Sequence, residues 1–207
     1  MKNYPKYIKN TLHSVIRDMA VHPEDFCRCP EKDFTRNRKL PFEKLLTLLV
    51  KMGGHSLRDE MLDCLEFEKT PASVSALVQQ RSKLLSEALE YLFQEFTNRC
   101  HKPKLYKGYR LLAVDGSDLQ ITANPKDPLS YFPGVNGQQP YSLLHLNALY
   151  DLNSNLYLDA VVQKRRAANE NAALISLVGR SEIHGPVIIT ADHGYESYNT
   201  LEHISRK

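Results

Sequence analysis

The sequence predicts a mixed α/β chain in two parts: a helical, basic region over residues 1–105 and a mixed sheet over residues 106–207. Three observations carry that prediction. Apolar residues recur at helical spacing through the first hundred positions. After residue 110 the pattern turns to continuous and alternating apolar runs, which read as strands. The elements then run as three strands, a helix, a fourth strand and a helix. An antiparallel meander followed by a crossover strand argues for a mixed sheet.

The helical part divides as follows. Residues 7–20 are weakly amphipathic, and 22–39 are polar, basic and irregular. Pro41 suits the first position of a helix running to Met52, where Gly53-Gly54 stops it. Ser56-Leu57-Arg58-Asp59 has capping-box spacing and opens a helix to about Phe67. Thr70-Pro71 opens a longer one through residue 98, with Val74, Leu77, Leu84, Leu85, Ala88 and Leu92 on its apolar stripe. The basic stretch 100–109 reads as the linker.

In the second part the first strand is 111–121. Residues 124–140, with four prolines and two glycines, read as a long loop. Strands 142–150 and 156–163 alternate, with Leu144, Leu146, Ala148 and Tyr150 on one face and Leu156, Leu158, Ala160 and Val162 on one face of the partner; Asp151–Asn155 is the hairpin loop. Asn169 caps a helix over 170–180, strand 186–191 follows, and Ser197 to Arg206 is a last helix.

Bulk properties narrow the class. A chain of 207 residues with 42% hydrophobic and 25% charged residues can bury a real core. No run approaches the roughly 20 apolar residues of a membrane span, and MKNYPKYIKN is no signal peptide. Cys27, Cys29, Cys64 and Cys100 lack disulfide-scaffold spacing, so a reduced cytoplasm is expected. Residues 1–110 hold 20 Lys/Arg against 14 Asp/Glu, whereas residues 111–207 hold 7 against 10. A basic half beside an acidic half suits a polyanion on one part and a metal on the other, though ordinary surface variation gives the same counts.

Two runs carry the chemistry. Leu111-Leu112-Ala113-Val114-Asp115-Gly116-Ser117-Asp118 and Val187-Ile188-Ile189-Thr190-Ala191-Asp192-His193-Gly194 each deliver a carboxylate at the end of an apolar strand. Asp115 and Asp192 together suggest one oxygen-rich site for Mg²⁺ or Mn²⁺ and phosphoryl-transfer chemistry. Asp118 reads as an acid supporting that site or as a solvent-facing strand residue. His193 is a phosphate or metal contact, or a polar turn residue. His22, Cys27 and Cys29 have poor spacing for a zinc knuckle. For DNA, the candidates are Arg36, Arg38 and Lys39 in the basic cluster, Gln80 and Arg81 on the polar side of the long helix, and Lys164, Arg165 and Arg166 after the third strand. Each competes with plain solvated charge.

Those two runs, with Tyr195-Glu196-Ser197-Tyr198-Asn199 after the second and Ser73–Leu84 ahead of the sheet, resemble the DDE transposases of bacterial insertion sequences of the insertion-sequence-four type. The resemblance covers about residue 40 to the end. It implies an RNase H-like catalytic domain, Asp115 and Asp192 as the first two catalytic and metal-binding acids, and a later Glu as the third. The relatives place that Glu well beyond the second Asp, and Lys207 lies 15 residues past Asp192. Glu196 and Glu202 stand too close to the fourth strand to match it. The expectation is therefore an incomplete sheet domain: a transposase fragment with little or no strand transfer alone, and an exposed edge and apolar face. The expected partner is double-stranded DNA at the element's end repeats, with homodimerisation or pairing with the full-length transposase, no membrane, and a cytoplasmic, nucleoid-associated location. The alternatives are a non-catalytic DNA-binding inhibitor of transposition and a small Mg²⁺-dependent nuclease.

Overall fold

The structure, a computed structural model, describes residues 4–36, 38–64, 72–135 and 137–206, in two compact units, Met1–Cys100 and His101–Lys207. The first is all helical: α1 (Tyr4–Val21), α2 (Phe42–Lys51), α3 (Leu57–Cys64), α4 (Val74–Arg81) and α5 (Glu87–Cys100). Its interior is almost wholly apolar, with Val15 and Ile16 of α1, Leu45, Leu46 and Leu48 of α2, Leu77 of α4 and Ala88 of α5 in one buried cluster. Arg99 of α5 pairs with Asp18 of α1 at 2.5 Å, and the Tyr7 hydroxyl donates to the Arg99 carbonyl.

Two local signals behave as chemistry demands. Gly53, Gly54 and His55 donate three successive amides to the buried Glu60 carboxylate, at 2.7–2.8 Å. These amides, with that of His55 foremost, hold its carboxyl below the usual range. Ser56 Oγ accepts from the Asp59 amide at 3.3 Å and donates to its carboxylate at 2.6 Å, while Pro41 is the cap of α2 rather than its first residue.

The long helix expected from residue 71 to 98 is broken into α4 and α5. The Arg28 amide donates to the Lys83 carbonyl and the Leu85 amide to the Phe26 carbonyl, so 83–85 lies extended along 26–28. Ser82 Oγ bonds back to the Gln79 carbonyl and closes α4. The expected helix start at Thr70-Pro71 and the expected helix end at Phe67 lie outside the described residues.

The second unit is a mixed sheet of β1 (Arg110–Ile121), β2 (Tyr131–Phe132), β3 (Tyr141–Asp151), β4 (Leu156–Lys164) and β5 (Val187–Ala191), with α6 (Glu170–Arg180) and α7 (Tyr198–Ser205). Antiparallel β3 lies between β1 and β4, and β5 adds to β1 in parallel. This meander, helix, strand, helix order is consistent with the RNase H-like arrangement. The loop expected over 124–140 contains the short β2, which the sequence reading missed. Tyr131 pairs with Ser142, whose other side already pairs with Ile121, so β2 extends the β4 edge.

The sheet buries the face that alternation made the less apolar one. Leu112, Val114 and Leu149 pack on Leu174, Leu177 and Val178 of α6, and the same face carries buried His145, Asn147 and Asp151. Leu144, Leu146, Ala148 and Tyr150 on the other face are half-buried, and Val162 and Ile188 beside them are 57% and 44% exposed. Buried Asp151 accepts from His101 Nε2 at 2.9 Å and from the amides of Asn153 and Ser154. Burial pushes its carboxyl up, but His101 and those amides outweigh burial and hold it low.

Candidate functional site

Parallel pairing of β1 with β5 sets Val114 opposite Ala191, so Asp115 and Asp192 each stand one residue past that pair. The apolar runs drive both strands into the sheet; Asp192 is exposed just past the end of β5, whereas Asp115 is exposed in the middle of β1, one residue past its pairing with β5, and not at the strand end the sequence suggests. Asp115 Oδ1 accepts from the Gly116 amide at 2.8 Å, and Asp192 Oδ1 accepts from the Gly194 amide at 2.9 Å. Each carboxylate is thus oriented by its own chain while keeping lone pairs open.

Asp192 caps a single 3₁₀ turn, His193–Tyr195, that drives Tyr195 inward. The Tyr195 hydroxyl donates to Asn147 Oδ1 at 2.7 Å and is buried. Burial raises its ionisation well above the phenol range, and the charges of Glu170, Asp115 and Asp192 raise it further. Tyr195 therefore stays protonated, and its surroundings reveal a third nearby carboxylate.

That third carboxylate is Glu170, the first residue of α6, which the sequence reading passed over. A Cβ on Gly194 would run into Glu170 Oε2 and stand 3.1 Å from Asp192 Oδ1; one on Gly116 would stand 2.8 Å from His145 Nε2 and 3.3 Å from Glu170 Oε1. Both glycines are needed for close approach, and the Asp-Gly and Asp-x-Gly spacings were the available signal. Buried His145 bridges two acids: Nδ1 lies 2.7 Å from Asp118 Oδ1 and Nε2 lies 3.2 Å from Glu170 Oε1. The second approach is misaligned, and Nε2 makes no hydrogen bond. Asp118 is accordingly not a free solvent-facing residue. The His145 bond first, and Arg165 Nε at 2.8 Å next, hold its carboxyl below the usual range.

The two remaining acids weighed from sequence point elsewhere. Glu196 pairs with the exposed His193 at 2.9 Å, and Glu202 of α7 pairs with Arg206 just past its end. Among the described residues, no three His, Cys, Asp or Glu side chains stand close enough together to hold an ion as placed, His22, Cys27 and Cys29 included. The donor chemistry of Asp115 and Asp192 still fits Mg²⁺ or Mn²⁺, because hard carboxylate oxygens suit these ions and Mg²⁺ keeps several waters beside one or two carboxylates.

The basic candidates fall into two groups. In the helical unit, Arg38 and Lys39 come together with Ser73, Gln79, Gln80 and Lys83 around a cleft of about 650 Å³. Arg36 lines a smaller one beside it, of about 180 Å³. Arg81 is exposed but lines neither cleft, and Gln80, expected on a polar helix face, is only 7% exposed. The break after Arg81 turns Gln80 inward to become part of the cleft wall. In the sheet unit, Lys164 pairs with Asp127 at 2.9 Å, Arg165 with Asp118, and Arg166 donates to the Tyr131 carbonyl with its guanidinium 4.4 Å from the Phe132 ring centre. All three already have partners within the unit.

Among the described residues no helix is long and apolar enough to cross a membrane. No curated protein and no solved structure matches the chain. A family model for the transposase DDE domain matches residues 106–207, the stretch that holds β1, β5, Asp115 and Asp192. The sheet region of this chain, residues 106–207, is therefore similar to a transposase DDE domain.

Proposed function

We propose that residues 1–105 bind double-stranded DNA at the end repeats of an insertion-sequence-four-type element, and that residues 106–207 hold Mg²⁺ or Mn²⁺ on Asp115 and Asp192 for phosphodiester cleavage. The observation that carries this reading is the β1–β5 register, which brings both acids to one end of a parallel strand pair. A divalent ion there would acidify a water and offset charge on the scissile phosphate. The chain's own residues do the rest. Asp115 and Asp192 supply oxygen ligands, buried Tyr195 fixes the turn after Asp192, and Arg38, Lys39 and Lys83 offer three cations to a phosphate backbone. Among the described residues no carboxylate lines that cleft, and Lys83 alone of the three carries an acidic neighbour, Asp33 at 3.9 Å.

The test is nicking and end binding by the full 207-residue chain on DNA carrying the element's ends. Mg²⁺- or Mn²⁺-dependent nicking that disappears in Asp115→Asn and Asp192→Asn supports the proposal. End binding with no nicking under either metal overturns the cleavage half and leaves the non-catalytic inhibitor of transposition in its place. No preference for end repeats over unrelated duplex overturns the DNA assignment.

A further inference from the structure

We infer that the larger cleft of the helical unit seats a single unpaired nucleotide, with its phosphate on Arg38, Lys39 and Lys83 and its amine-bearing base on the Gln80 carboxamide. This extends the phosphate grip proposed above from backbone to base; it rests on that grip and needs neither metal nor cleavage.

One part of the cleft suits an anion. Arg38 and Lys39 are exposed and form no ion pair among the described residues. Lys83 is placed rather than neutralised, with Asp33 at 3.9 Å and the Phe34 ring centre 5.7 Å from its Nζ. Ser73, the cap of α4, accepts from the Ala76 amide at 3.1 Å, which leaves its hydroxyl hydrogen to donate to a phosphate oxygen. The remaining lining suits something flat and less polar. Leu40 and Ala72 are buried and Ala76 half-buried, and the two alanines leave room for a ring. At about 650 Å³ the cleft has the size of a small-ligand site and cannot admit a duplex.

Gln80 is the independent pointer to what enters. It is 7% exposed and lines both this cleft and the smaller one beside it. Its Oε1 is out of reach of solvent and makes no hydrogen bond among the described residues. A buried carbonyl without a donor is costly, and packing alone is better served by an apolar side chain, as at Leu77 one turn earlier. With no bond to hold that oxygen, the terminal amide can turn about its soft last torsion and present acceptor and donor together. A carboxamide pairs in this way with the amine and adjoining ring nitrogen of adenine. A phosphodiester carries no hydrogen for the carbonyl, so the cations and the amide call for two ends of one ligand.

The test is equilibrium dialysis of the full chain against dAMP, against the same purine nucleotide without its 6-amino group, and against deoxyribose 5-phosphate. A second arm uses a duplex carrying one unpaired dA or its amine-less counterpart. The inference expects dAMP to bind about tenfold or more tighter than either other probe. In Gln80→Leu, dAMP should fall to the level of the amine-less nucleotide while circular dichroism and melting match the parent, and Arg38→Ala should weaken all three probes. Preference for the amine in both arms means that the cleft takes a nucleotide from either source. Preference with the duplex alone assigns it to a DNA strand, and preference with dAMP alone assigns it to a free nucleotide. If the three probes bind alike and weaken together in Arg38→Ala, the phosphate grip stands and the inference fails. If neither nucleotide nor duplex responds to Arg38→Ala, the grip fails and takes the inference with it. Should Gln80→Leu unfold, Ala76→Leu fills the cleft instead, and an unchanged preference for dAMP in that variant overturns the inference.

Discussion

The two units of this molecule are built on opposite interiors. The helical unit buries Val15, Ile16, Leu45, Leu46, Leu48 and Leu77 against one another, and its most deeply buried carboxylate, Glu60, serves to close a turn. The sheet unit buries apolar residues with Asn147, His145 and Asp151 on the same face. A face that serves mainly for packing carries few polar groups; one that must also hold charged side chains in place spends part of its interior on hydrogen bonds. The difference separates an interior that mainly packs from one that also holds polar and charged side chains in place.

Variants sharpen this contrast, and the largest effect belongs to the apolar core. Leu46→Ala should cost the helical unit about 2–5 kcal/mol, the range for truncating a fully buried leucine. Denaturant unfolding followed by hydrogen exchange at the α1 and α2 amides would show it. A loss well under that range would mean the core collapses around the cavity. Next, Asp192→Asn should lower metal-dependent nicking by at least about a hundredfold without moving the melting temperature, since the residue is exposed and its capping oxygen survives the change.

Asp151→Asn tests the polar interior. It should cost the sheet unit about 1–3 kcal/mol at neutral pH, because His101 and two amides lose their charged acceptor. The folded carboxyl is held low, so its contribution is complete above the ordinary carboxylate range and is lost as pH falls through the folded value. Parent and variant stabilities should therefore converge in acid; a gap that stays constant with pH would assign the cost to packing instead. Tyr195→Phe should cost about 1 kcal/mol by removing the bond to Asn147. The smallest effect is expected at the surface cleft: Arg38→Ala should weaken DNA binding only modestly while lowering the slope of its salt dependence by about one.

Much of this fold is legible in the chain, and the exceptions have physical causes. Gly53-Gly54 marks the end of α2, and Asn169 marks the start of α6, because caps and stops act over three or four residues. The break between α4 and α5 has no such mark. No glycine or proline stands at 82–86, and pairing with residues 26–28, with the Ser82 hydroxyl bonded back to Gln79, interrupts the apolar stripe. β2 is two residues long and forms because β3 overruns β4, so its own composition carries no strand signal. Alternation along β3 shows two faces but not which one α6 covers, and the helix takes the side bearing His145 and Asn147.

At the site, the two aspartates stand out because each follows an apolar run and adjoins a glycine, a pattern written within ten residues. Glu170 does not stand out, since a first-turn glutamate is ordinary on any helix. What the sequence determined by itself is which acids follow the apolar runs, where the helices are capped and how charge divides between the halves. What only the tertiary structure decided is that β1 and β5 pair in parallel at Val114 and Ala191, that Gln80 turns inward, and that α6 carries a glutamate to Gly116 and Gly194. The physical reason is range: propensity and capping act between neighbours in the chain, whereas strand pairing and helix docking join residues tens of positions apart.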